Sequence, residues 1–149
     1  MKTTVVDYAE DRMRQTAEKV LDEMESMDAL ESLIADLQDG DWSVRRNAAE
    51  ALGKLKDAAA VETLITTLQD DKAAVRWAAT EALGKLKDAA AVEVLRRALN
   101  DEEWFVRMGA AEALGAIGGE RALDALKAAQ QDEEWHVREA VFEALYRMP

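Results

Sequence analysis

Cysteine is absent from this 149-residue chain, and proline occurs once, at Pro149. There is therefore no disulfide, no thiolate nucleophile and no cysteine metal ligand. Nothing inside the chain breaks a helix. Aromatic residues make up only 5%, and His136 is the sole histidine. One histidine cannot build a multi-ligand metal centre, and no Gly-rich phosphate loop, zinc spacing or Ser-His-Asp set is present. No cofactor is expected. Long apolar runs are missing too. The opening MKTTVVDYAED lacks the core of a signal peptide, and no stretch could span a bilayer, so a cytoplasmic location is expected. Bases are outnumbered, 19 against 31 acids, for a net charge of −12. An acidic surface repels phosphate backbones and anionic lipid, so neither nucleic acid nor membrane is expected as a partner.

What the chain has is repetition. DWSVRRNAAEALGKL, residues 41–55, returns as KAAVRWAATEALGKL from 72, EWFVRMGAAEALGAI from 103 and EWHVREAVFEALYRM from 134. Val44, Val75, Val106 and Val137 mark a period of 31 without slippage. Residues 50–62 and 81–93 are identical, EALGKLKDAAAVE, as a late duplication or deliberate design would leave them. A period of this size signals a solenoid, in which each unit buries its apolar face only against its neighbours.

Two helix types are predicted to alternate. The first covers about 28–38, 58–69, 89–99 and 120–131, with core residues Leu30, Leu33, Ile34 and Leu37, then Val61, Leu64, Ile65 and Leu68, then Val92, Leu95 and Leu99, then Leu123 and Leu126. Asp57 and Asp88 stand where N-caps are wanted. The second, the Val-Arg type, covers about 42–55, 73–86, 104–117 and 135–147. Its predicted core stripe in the first copy is Val44, Ala48, Ala51 and Leu55. Gly53, Gly84 and Gly115 lie inside these helices at a cost of about 1 kcal/mol each relative to alanine, offset by close helix approach. Residues 1–7 read as a loose end. Residues 8–25 read as a helix with Met13, Ala17, Val20, Leu21 and Met24 on one face, a worn copy of the Val-Arg helix. Gln130 and Tyr146 break the pattern in the last copy and read as end-cap features.

Aspartates keep the same period: Asp39, Asp70, Asp101 and Asp132, each six residues before Arg45, Arg76, Arg107 and Arg138. Carboxylate and guanidinium at this spacing can pair within a unit and across to the next, forming a ladder that sets the stacking angle. Four copies of one pair indicate a structural role, since catalysis needs only one.

The Asp-x5-Arg spacing and the Val-Arg-x-x-Ala-Ala-x-Ala-Leu-Gly core resemble HEAT repeats, especially the short PBS-lyase HEAT-like type. The framework is also similar to artificial alpha-Rep proteins. The resemblance covers roughly 28–149. It implies an all-α, right-handed α-solenoid, an armadillo-like superhelix of about nine helices, with the Val-Arg helices on the concave side. In that phasing one domain, 1–149, comprises a tail and cap helix (1–27) and repeats 28–57, 58–88, 89–119 and 120–149. HEAT-repeat deoxyhypusine hydroxylases hold two irons through His-Glu pairs, and this chain has no His-Glu dipeptide.

The four copies differ on one side of the Val-Arg helix. There stand Trp42, Arg46, Trp77, Trp104, Phe105, Met108, Trp135, His136 and Glu139, the face that the alpha-Rep resemblance implies for binding. Trp77, Phe105 and Met108 are the expected anchors, since rigid aromatic side chains dominate binding hot spots. The row Trp42, Trp104 and Trp135 admits two readings, binding surface or framework packing over the turn. The function expected is a non-enzymatic, monomeric scaffold for a protein or peptide. The alternatives are an accessory subunit of a bilin-lyase-like enzyme and a designed or self-associating scaffold.

Overall fold

A computed structural model describes residues 3–149, with side chains from residue 7 onward. It is helical throughout: α1 (Thr3–Asp36), α2 (Trp42–Leu55), α3 (Val61–Thr67), α4 (Ala73–Leu86), α5 (Val92–Ala98), α6 (Trp104–Ile117), α7 (Glu120–Ala128) and α8 (Trp135–Arg147). Single 3-10 turns, Ala58–Ala60 and Ala89–Ala91, lead into α3 and α5. Asp57 and Asp88 cap those turns, each accepting an amide hydrogen two residues on at 2.9 Å.

By internal contacts the chain divides into Met1–Ser32 and Leu33–Pro149. In the first unit the expected helix is present but longer. The loose end is corrected from Thr3 onward, Met1 and Lys2 lying outside the described residues, and no break separates 8–25 from 28–38. With no glycine or proline there, nothing in the sequence stops the helix. Among the described residues, therefore, eight α-helices stand where about nine are expected. Met13, Val20, Leu21 and Met24 are exposed side chains on this helix.

The second unit is a stack. α2, α4, α6 and α8 pack in succession, and α3, α5 and α7 each back onto the Val-Arg helix that follows. Leu52, Leu83 and Leu114 of the Val-Arg helices are fully buried, as are Leu64, Leu95 and Leu126 of the backing layer. Each contributes roughly 1.5–3 kcal/mol by leaving water. The predicted stripe needs one correction. Leu55 is exposed and Leu52 takes its place, because Leu55 lies in the last helical turn, beyond the packed part of α2.

The helix glycines explain the tight layer. A Cβ built on Gly53 would lie 2.8 Å from the Ala82 α-carbon, and one on Gly84 would lie 3.1 Å from that of Ala113. No side chain fits there, so the backbones approach closely. The backing layer is looser. A cleft of about 610 Å³ opens between α5 and α7, lined by Val92, Arg96, Leu99, Arg121 and Ala125. The Val-Arg layer is thus the tight layer of the stack and the backing layer the open one.

The ladder edge as a candidate protein-binding surface

The turns before the Val-Arg helices form one edge of the stack, and arginine organises it. Arg45 Nε donates to Asp70 Oδ2 at 2.8 Å and Nη2 to Asp70 Oδ1 at 3.1 Å. Arg76 repeats this on Asp101, and Arg107 on Asp132. The pairing with carboxylate is thus always to the next unit. Within its own unit each arginine uses Nη1, which donates to the carbonyl of Asp39, Asp70 or Asp101 at 2.9 Å. The within-unit carboxylate pair that the spacing allows does not form in any of the four copies among the described residues. The aspartates also accept the amide two residues on, as Asp70 does from Lys72 and Asp132 from Glu134, each at 2.9 Å.

These contacts set the charge states. Burial works to raise the Asp70 and Asp132 carboxyls, but the arginine and backbone hydrogen bonds outweigh it, and both lie below the usual carboxylate range. The hydrogen bonds to Asp70, Asp101 and Asp132 hold Arg45, Arg76 and Arg107 above their ordinary value.

Four of the variable residues gather at the same edge. Trp104 and Trp135 begin α6 and α8, and His136 lies between their rings. The imidazole stacks on Trp135 at 3.7 Å and on Trp104 at 4.7 Å between centroids. Phe105 meets Trp104 edge-on at 5.8 Å. Glu134 Oε1 lies 2.7 Å from His136 Nδ1, and that hydrogen bond holds the Glu134 carboxyl low. Trp104 is 38% exposed and Trp135 54% exposed, so two wide ring faces remain open. Beside them a hollow of about 310 Å³ is lined by Glu102, Trp104, Arg107, Glu133 and Glu134. Trp42 stands apart at the start of α2, 41% exposed, with the Arg46 guanidinium 5.7 Å from its ring centre.

The other expected anchors sit elsewhere. Trp77 is half-buried between α4 and α6. A Cβ built on Gly109 would lie 3.2 Å from Trp77 Cδ1 and would overlap Thr80 Oγ1. Trp77 and Thr80 fill space that Gly109 leaves by lacking a side chain, which corrects the reading of Trp77 as a free anchor. Met108 is half-buried. Glu139 is exposed on α8. The structure therefore joins Trp104, Phe105, Trp135 and His136 into one cluster and leaves Trp42, Arg46, Trp77, Met108 and Glu139 outside it. Glu134 was missed by sequence reasoning. Its signal was a carboxylate two residues before the lone histidine. The expected setting is also adjusted: Trp42, Trp104 and Trp135 begin their helices at the ladder edge, and a groove of about 390 Å³ farther along the Val-Arg helices is lined by Thr80, Glu81, Lys85, Glu112 and Ala116.

Among the described residues no helix is long and apolar enough to cross a membrane. No group of three or more His, Asp or Glu side chains there could hold a metal ion.

Comparison with known proteins supports the repeat reading. The family pattern for HEAT repeats matches residues 5–82 and 61–146. Among solved structures, the chain is similar to the complex of CpcE and CpcF of phycocyanin lyase from Nostoc sp. PCC7120. The identity is 34% and the TM-score 0.71, covering 80% of this chain and 53% of that one. It is also similar to human deoxyhypusine hydroxylase, with 34% identity and a TM-score of 0.71 over 79% of this chain and 42% of that one. An engineered protein matches at 26% identity and a TM-score of 0.65, covering 79% and 61%. The chain spans about half the length of the natural proteins it matches. No match was found among curated proteins. With an unbroken 31-residue period, a helix-pair stack and a family match over most of its length, the chain belongs to the HEAT-repeat family.

Proposed function

We propose that this chain is a non-enzymatic interaction scaffold that binds a protein or peptide at the ladder edge, in the cytoplasm. The supporting observation is the pair of open indole faces, Trp104 and Trp135, held rigid by stacking on His136. Rigid aromatic surface loses little conformational entropy when covered, and exposed indoles in a row are what a binding hot spot requires. Acidic neighbours Glu102, Glu133 and Glu134 favour a partner segment that carries basic as well as apolar groups. Peptides selected from a random display library should bind the native chain and fail on the Trp104→Ala/Trp135→Ala variant. Equal binding to both proteins would overturn the assignment.

A second reading rests on the 34% identity with the structure of two phycocyanin lyase subunits in complex. Under it the chain is an accessory subunit of a bilin-lyase-like enzyme. Adding a bilin to the purified chain should then shift and sharpen the pigment's visible absorption. An unchanged spectrum, with and without candidate partner subunits, would remove this reading.

A further inference from the structure

The repeats show what the leading face of each Val-Arg helix normally holds. In α2, α4 and α6 that face carries an arginine, a small buried residue four later and a glycine four after that. These are Arg45, Ala49 and Gly53, then Arg76, Thr80 and Gly84, then Arg107, Ala111 and Gly115. On α8 the same three positions are Arg138, Phe142 and Tyr146. Phe142 and Tyr146 are 67% and 82% exposed, their rings stacked 6.3 Å apart. Arg138 keeps the self-contact of its kind, with Nη1 donating to the carbonyls of Asp132 at 2.8 Å and Glu133 at 3.0 Å. Among the described residues its Nε and Nη2 have no carboxylate.

The opposite end of the ladder has the matching vacancy. The Asp39 carboxylate accepts the Asp41 amide at 2.8 Å, as every ladder aspartate accepts the amide two residues on, yet among the described residues no arginine hydrogen-bonds to that carboxylate. Asn47 on the trailing face of α2 is exposed, whereas its counterparts Ala78 and Gly109 are buried. The two ends are complementary in charge and in hydrogen-bond geometry. A second copy set in the same register would place its Asp39 where Arg138 needs a carboxylate. Such a joint is heterologous and does not close, so it would propagate as a fibre.

We propose that the leading face of α8 is a self-stacking interface for the Asp39 end of a second copy, held shut by Tyr146 and Phe142. The steric argument comes from the inner joints. Even a Cβ at Gly115 would lie 3.1 Å from the Ala144 α-carbon. A tyrosine at the equivalent position holds the incoming backbone away, and Phe142 does the same one turn earlier. Unpaired rungs at both ends are thereby kept from meeting.

The test is sedimentation of the full chain at low and high protein concentration, in moderate salt so that the net charge of −12 on each copy is screened. The native chain should keep one mass. Phe142→Ala/Tyr146→Gly should gain mass with concentration, at least twofold. Adding Arg138→Ala or Asp39→Ala should return it to the native value. Phe142→Ala/Tyr146→Ala, which retains a Cβ, should associate less than the glycine variant. Circular dichroism confirms that each variant is folded. A folded glycine variant of constant mass would overturn the proposal. So would association indifferent to Arg138, or stacking of the native chain through Arg138.

Discussion

Arg76 and Asp101 face each other across the joint between α4 and α6, with Nε 2.8 Å from Oδ2 and both side chains about nine-tenths covered. The same guanidinium also holds the carbonyl of Asp70, so one side chain ties its own turn to the next. Arg76→Ala leaves a covered carboxylate and a carbonyl without donors, and should cost about 2–3 kcal/mol in urea unfolding. Arg76→Lys should recover little of this, since an ammonium cannot make the planar two-point contact. Arg138→Ala, which removes no carboxylate contact, should change the midpoint far less.

Acid should loosen the same ladder. Asp70 and Asp132 are depressed in the folded state, so their contribution is complete above the unfolded carboxylate value of about 3.9. It is lost as pH falls through the lower folded values. The melting temperature should therefore hold between neutral pH and about pH 5 and drop below about pH 4. Replacing Arg45 and Arg107 with alanine should flatten that acid limb while lowering the neutral plateau. An unchanged slope would remove the ladder as its source.

Glu112 behaves in the opposite sense. Partial burial raises its carboxyl, and the facing Glu81 and Glu143 raise it further. Glu50 and Glu143 have basic partners four residues on, at Lys54 and Arg147, whereas Glu112 has Ala116 at that position. A raised folded value means that ionisation destabilises the fold as pH rises through it. Glu112→Gln should melt about 1–2 °C higher at neutral pH. The gain should fade in acid, where the native glutamate is itself protonated. A gain of equal size at both pH values would contradict the electrostatic cause.

Glycine and lysine exchange their usual parts along the helices. Gly84→Ala adds a methyl where the Ala113 backbone is 3.1 Å away, and should destabilise by about 1–3 kcal/mol even though alanine is the better helix former. Lys87 closes α4 in the left-handed region at φ 52°, a conformation glycine adopts without strain. Lys87→Gly should gain about 0.5–1 kcal/mol. Thermal unfolding of both variants checks the pair, and a stabilised Gly84→Ala chain would show that the joint is slack.

Most of the second unit was legible because repetition makes each position testable against three others. Val75, Val106 and Val137 are buried as the period predicts, as are Leu52, Leu83 and Leu114. The long α1 was not legible, since an amphipathic pattern marks a face without showing where one helix stops and the next begins. Trp77 was misplaced for a related reason. Its compensation, the missing side chain of Gly109, lies 32 residues away and on another helix. The Trp104–His136–Trp135 stack crosses between units as well, so the four-copy comparison showed which positions vary but not which of them touch.

The binding claim rests on two open indoles, and affinity is its most direct measure. A peptide selected on the native chain should bind Trp104→Ala/Trp135→Ala at least about 100-fold more weakly, two hot-spot truncations of about 2 kcal/mol or more each allowing that much. The melting temperature of that variant should stay close to the native value. Undiminished affinity in a folded variant would contradict the assignment and leave the tryptophans as packing over the ladder.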